Sequence, residues 1–197
     1  MTPVSGSDPS PRWTNCFTGT PGIAFAALWG FAEATLFFIL PDVPLSLAAL
    51  YRPRRALAHV ASILFGSFLG GALMFAWSAH SPAARHAVSD VPFVRPSMFL
   101  QAERDYQKLG TWSVAVGPVR GIPYKIYAVE ATQHSSLLLF LLITIPARAW
   151  RLFAVWIIFS IAGTILRKLR LASLTPYLHA CVWIAVYAIY WTRVSRS

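Results

Sequence analysis

The sequence predicts an all-α integral membrane protein: three to four spanning helices, two opposed re-entrant helical elements and one interfacial amphipathic helix. Three observations carry this. Of 197 residues, 56% are hydrophobic and only 12% are Asp, Glu, Lys or Arg, where a soluble domain carries about a quarter. Apolar runs long enough to cross or enter a hydrocarbon core of about 30 Å recur, at 23–40, 56–79, 137–145 and 152–166. Two of the intervening stretches combine prolines with charges, which suits neither a spanning helix nor an ordinary loop.

The formal net charge is +10 and the mean hydropathy +0.55. The cations gather at the ends of apolar runs, as in RPRR (52–55), RKLR (167–170) and TRVSRS (192–197). Nucleic-acid binding wants a basic stripe; clusters of this kind suit loops beside an anionic leaflet. The positive-inside rule makes 52–55 and 167–170 cytoplasmic. Cys16 and Cys181 are isolated, and the five histidines form no close ligand pair, so no disulfide framework, metal site or cofactor is expected. Residues 1–20 are rich in Pro, Ser, Gly and Thr and lack the basic and apolar regions of a secretory signal. They are expected to be a disordered tail, before a single membrane domain over 21–192 and a basic tail at 193–197.

Residues 23–40 form a helical run that contains Glu33. Pro41 and Pro44 then break it around Asp42, because proline removes a backbone donor and crowds the preceding turn. The chain either crosses here or enters, turns and leaves on one side. The buried Asp42 favours the second, since irregular backbone at membrane depth needs protein or a water-filled cavity to satisfy it. Residues 56–79 make a spanning helix. Its Ser62, Gly66, Gly70 and Gly71 give a small-residue ridge for close helix packing.

Residues 80–96 read as a polar loop. In 97–109, Met98, Phe99, Ala102, Tyr106 and Leu109 share a helical face while Glu103, Arg104, Asp105 and Lys108 lie mainly off it, as in an interfacial helix. The stretch VGPVRGIPYKIYAVEA (116–131) follows, with Pro118 and Pro123 as breaks and Arg120, Lys125 and Glu130 as charges. It reads as a second re-entrant element, an inverted counterpart of the first. Residues 135–166 are a long apolar segment kinked at Pro146, with Arg148 and Arg151 on one face. A last helix covers 176–192, its Tyr190–Trp191 pair suggesting an aromatic belt.

Glu33, Asp42, Arg120, Lys125, Glu130, Arg148 and Arg151 all lie in or beside apolar segments. A charge at a helix centre costs roughly 2.5–3.5 kcal/mol on insertion scales. Buried ion pairs alone would account for them. The functional alternative is a polar cavity between the two breaks, with Arg120 and Lys125 facing Asp42. Its surplus cation would grip an anionic head group, and Glu33 or Asp42 would exchange a proton. No GxSxG, HExxH or P-loop motif is present. The membrane-phosphatase lysine fails too, since Leu45 and Val88 stand seven residues before the two Arg-Pro steps. No enzyme is expected.

The segment FAEATLFFILPDVPLSLAALYRPRRAL, with GSFLGG, GIPYKIYAVEA and PARAWRLFAVW after it, resembles the DedA family of SNARE-associated, or VTT-domain, membrane proteins. The YqaA-type branch is the part of the family it suggests, over residues 31–169. The resemblance implies two facing re-entrant loops and movement of an anionic phospholipid or polyprenyl phosphate between leaflets of a bacterial inner membrane, with proton coupling in some members. It assigns Glu33 and Asp42 to the first loop, Arg120 and Lys125 to the second, and Arg148 and Arg151 to the following arginine pair. Membrane lipids would be the partners, and a homo-oligomer is compatible. A proton-coupled carrier of a small solute, or a non-transporting factor for envelope integrity or division, are the alternatives. Phe38 and Leu40 replace prolines usual in the family, and Glu130-Ala131-Thr132 replaces a small Ala-Ala-Gly.

Overall fold

The computed structural model describes residues 17–196, with the side chains at 118, 119, 191 and 193–196 left out. Nine α-helices are described: α1 Thr20–Ala34, α2 Asp42–Tyr51, α3 Pro53–His80, α4 Ala83–Ser89, α5 Pro96–Leu109, α6 Ser113–Arg120, α7 Tyr124–Glu130, α8 Leu137–Lys168 and α9 Thr175–Arg196. No strand occurs among the described residues. Three segments are long and apolar enough to cross a membrane: α3, α8 and the stretch Ala172–Tyr190. In the last two, only 11% and 6% of the most apolar window is buried inside the protein. Exposed Leu138, Ile158 and Ile184 therefore present hydrocarbon outward, far beyond what a water-soluble monomer shows. Such a surface suits contact with lipid hydrocarbon.

The contacts along α3 fix the path of the chain. His59 Nε2 pairs with Phe17 O at 3.0 Å, Ser67 Oγ donates to Gly30 O, and Gly70 packs on Phe31 and Ala34. The numbers rise together, so α1 runs parallel to α3. For that, α2 must carry the chain back from the far end of α1 to Pro53, making α1–α2 a hairpin whose two ends lie together. Gly71 packs against the Tyr124 hydroxyl, and Ser78 Oγ donates to Val129 O at 2.8 Å. Thus α7 also runs parallel to α3, but from its middle toward His80. Its partner α6 descends from a base where Thr111 Oγ1 donates to Ser135 Oγ at 2.9 Å. Two hairpins, one from each end, meet beside Gly70 and Gly71.

Helix α8 then runs antiparallel to α3. Arg148 meets Glu33, Trp156 Nε1 donates to Pro53 O at 2.8 Å, and Arg167 Nη1 donates to Leu50 O at 2.6 Å. The two basic clusters RPRR and RKLR therefore share one end of the protein. Helix α9 returns along the first hairpin: His179 Nε2 and Trp183 Nε1 both lie 2.9 Å from Ser46 Oγ. Each hairpin has its own core. Leu45, Ala49, Val60, Ile63 and Leu152 bury the first, and Ile126, Tyr127, Phe140, Val88 and Phe99 the second.

Several expectations change. Phe17 to Thr20 belong to the described residues, with Thr18 buried; residues 1–16, the rest of the expected tail, lie outside the described set. Helix α1 stops at Ala34, ahead of the prolines, where Thr35 Oγ1 folds back onto Phe31 O and Ala32 O. Pro41 and Pro44 instead start α2 as its N-cap and third residue, positions where a missing N–H costs little. The 80–96 loop contains α4. Helix α6 runs through position 118, and Gly121, left-handed at φ 73°, ends it; the side chain of Pro118 is outside the described set. Only Pro123 of that pair stands at the break, as N-cap of α7. Pro146 lies inside α8 without ending it. The last helix reaches Arg196, through the expected basic tail.

Candidate functional site

The first break, residues 35–41, leaves backbone groups that no helix satisfies, and inside a protein each must find a partner. Side chains from three helices supply partners for three of them. Trp29 Nε1 donates to Ile39 O at 3.1 Å, and Leu40 N donates to the Tyr187 hydroxyl at 3.1 Å. Lys125, at the start of α7, donates through Nζ to Phe37 O. The tip of the second hairpin is thereby bonded to the tip of the first.

The arginine pair of α8 straddles the same break. Arg148 Nη2 donates to Glu33 Oε2 just before it, both side chains being almost fully buried. Arg151 Nη1 stands 3.5 Å from Asp42 Oδ2 just after it. Three residues apart on a helix, the arginines reach neighbouring points of one groove. The Arg148 guanidinium also lies over the Tyr124 ring, 4.6 Å from its centroid, and the Tyr124 hydroxyl is 3.0 Å from Thr144 Oγ1. Such a stacked, paired guanidinium is held rigidly. Asp42 Oδ1 and Arg148 Nε are buried without a hydrogen-bond partner among the described residues.

Between the tips lies a cavity of about 180 Å³. Glu33, Lys125, Arg148 and Arg151 line it, with Tyr124, Tyr187 and Tyr190; Phe37, Phe38, Phe93 and Val186 are among its apolar lining. Three cations, Lys125, Arg148 and Arg151, face two carboxylates, Glu33 and Asp42. Lys125 is the cation whose recorded partner is a carbonyl rather than a carboxylate. The centre thus carries one net positive charge when all five are ionised.

Of the six charged residues expected to form the site, five come together and Arg120 does not. It turns from Asp42 to Asp105 on α5, with 42% of its side chain exposed. Asp105, expected off the apolar face, is 1% exposed. It also accepts from Tyr127 OH at 2.7 Å and Gln101 Nε2 at 2.9 Å. Glu130 stands apart as well, paired at 2.7 Å with Arg85 of α4, whose guanidinium covers the Phe99 ring. These two pairs fasten α4 and α5 to the second hairpin. Tyr106 adds a bond from its hydroxyl to Tyr127 O at 2.8 Å; burial pushes its phenol far above the usual range, so it stays a donor. A sequence signal for Asp105 existed: it lies three residues after Ala102 and so borders the apolar face.

The glycines take close approaches. A Cβ at Gly66 would overlap the Ala27 carbonyl, one at Gly70 would crowd Phe31 and Ala34, and one at Gly71 would overlap the Tyr124 hydroxyl. Gly71 therefore borders the site as well as a helix interface. Among the described residues, no three His, Cys, Asp or Glu side chains gather to hold a metal ion. No protein-family model, curated protein or solved structure matches the chain.

Proposed function

We propose that this protein moves a lipid with an anionic, phosphate-type head group between the leaflets of a membrane. The single observation behind this is the cavity between the two hairpin tips, lined by Lys125, Arg148, Arg151 and Glu33 together with apolar walls, with Asp42 paired to Arg151. A bilayer interior excludes such a centre unless it has a use for the charge. In this reading both hairpins are re-entrant. Gly70 lies 17 residues after Pro53, about 26 Å along a helix of about 42 Å at 1.5 Å per residue, so the tips meet near mid-depth.

The head group takes Lys125 from the Phe37 carbonyl, and the arginines, already tied to Glu33 and Asp42, keep the pocket in shape. Loss of the Lys125 bond loosens the two tips from one another and lets the occupant pass from one hairpin's side to the other's. Asp42, with one oxygen unpartnered, is the carboxylate placed to exchange a proton during that step. Resemblance to the DedA family supports the same reading, and with it a bacterial inner membrane.

The test is reconstitution with a head-labelled fluorescent phosphatidylglycerol. Dithionite bleaches the outer-leaflet probe, so bleaching well beyond half in the presence of the protein, and back to half with Lys125→Ala, is the expected result. Bleaching that stops at half with the wild type overturns the proposal. Proton-coupled uptake of a small anion in the same vesicles, without lipid movement, would replace it with a solute carrier.

A further inference from the structure

Between α4 and α5 the chain makes a tight turn over residues 91–94, closed by Val94 N donating to Val91 O at 3.1 Å. Pro92 holds its second position and Phe93 its third, with φ 69°. Proline followed by a positive φ is the pattern of a type II turn, whose third position favours glycine or asparagine. A bulky side chain there is an outlier, and such strain persists where the surroundings over-determine it.

Core burial does not explain it, because Phe93 is 41% exposed. Its ring lies 6.0 Å from that of Phe38, tilted by 58°. Phe38 belongs to the first break and is 40% exposed. Both rings line the cavity that Lys125, Arg148 and Arg151 also line. Phe38 in turn continues a row of edge-on and tilted rings from Phe25 through Trp29 and Phe37. The lining is amphipathic: cations from α7 and α8, half-exposed rings from the first break and the 91–94 turn.

We propose that the Phe38–Phe93 pair is the mouth of the cavity and the docking surface for the hydrocarbon chain of an anionic lipid whose phosphate faces Lys125. This rests on the lipid-moving reading for its ligand class. Charge and surface together choose the occupant. The cations call for an anion and the rings for hydrocarbon; inorganic phosphate meets only the first requirement and a neutral lipid only the second. Glycine would relieve the turn but would remove the ring, which accounts for phenylalanine in a position that suits it poorly.

The test uses the full chain in vesicles containing phosphatidylglycerol with a diazirine on its acyl chain near the glycerol. After photolysis, label is expected at residues 37–38 and 91–94, competed by unlabelled phosphatidylglycerol and not by inorganic phosphate. Phe38→Ala, Phe93→Ala and Phe93→Gly should each lower that labelling about fivefold. The two Phe93 variants should agree although glycine frees the backbone, because the ring is the feature that matters. Label confined to the outer faces of α8 and α9, wild-type labelling in Phe93→Gly, or competition by phosphate alone would overturn the inference. If labelling is as expected while the wild type moves no lipid, the docking surface stands and the transport reading falls. If lipid moves and the labelling ignores these variants, the reverse holds.

Discussion

Glu33 and Arg148, 115 positions apart in the chain, meet as an ion pair with only 6% and 5% of their side chains exposed. The bond joins the end of α1 to the middle of α8, and Arg151 repeats the connection at Asp42 on the other side of the break. A loop that would otherwise be loose is thereby held between two arginines on one rigid helix. Charges in this setting are costly singly and tolerable together.

Arg148→Ala should therefore destabilise the protein by about 3–5 kcal/mol, because Glu33 is left buried and unpaired. Replacing both partners with leucine should recover much of that loss. Thermal unfolding in lipid nanodiscs measures it. A double variant as unstable as the sum of the singles would deny that the two act as a pair.

Lys125 differs, because its recorded partner is the Phe37 carbonyl. Lys125→Ala should cost about 1.5–3 kcal/mol of stability, the worth of a hydrogen bond to a charged group. Lipid movement should fall more than tenfold, about 1.4 kcal/mol or more of lost head-group binding. Lys125→Arg should retain part of the activity. Comparable activity in Lys125→Ala and wild type would remove this residue from the pathway.

The parts of the fold set by local chemistry could be read from the chain alone. Long apolar runs marked α3 and α8, and isolated charges in or beside apolar segments singled out Glu33, Lys125 and Arg148. What escaped were features set by packing. Helix α1 ends at Ala34 because Trp29, Lys125 and Tyr187 satisfy the next backbone groups, and two of those three come from beyond residue 120. Gly121 rather than Pro118 ends α6, since a left-handed residue closes a helix more cleanly than a proline within it. Arg120 sits only five residues before Lys125, yet the turn at Gly121 sends it outward to Asp105. No periodicity carries that information.

The parallel course of α1 and α3 makes a topological prediction. Cysteines at Thr20, Arg54 and Arg170, in a chain with Cys16 and Cys181 replaced by serine, should react with an impermeant maleimide from one side of the membrane. Cysteines at Arg85 and Glu103 should react from the other. Opposite-side labelling of Thr20 and Arg54 would mean that the first hairpin crosses instead of turning back.

Gly66→Ala and Gly71→Ala should separate packing from the site. At Gly66 the added methyl meets the backbone carbonyl of Ala27, which cannot move aside, so overpacking of about 1–3 kcal/mol is expected. At Gly71 it meets the Tyr124 hydroxyl and can displace that ring from Thr144 and Arg148. Gly71→Ala should lose lipid movement beyond what its stability explains, whereas Gly66→Ala should lose stability first. Thermal unfolding and transport measured on both variants decide it.

Asp105 gives the sharpest test of where the working centre ends. Its carboxylate takes hydrogen bonds from Gln101, Arg120 and Tyr127 while almost wholly buried. Asp105→Ala strands these donors, Tyr127 among them in the core of the second hairpin, and should cost about 2–3 kcal/mol. Arg120 is 42% exposed on its side of the pair, so Arg120→Ala should cost under about 1 kcal/mol. Asp105→Asn should fall between, since an amide keeps an acceptor for Arg120 and loses the charge. Because Arg120 points away from the tips, Arg120→Ala should keep lipid movement within about twofold of wild type, far above Lys125→Ala. A loss as deep as that of Lys125→Ala would extend the pathway outward along α6, and the Asp105–Arg120 pair would then belong to the head group's route rather than to the frame around it.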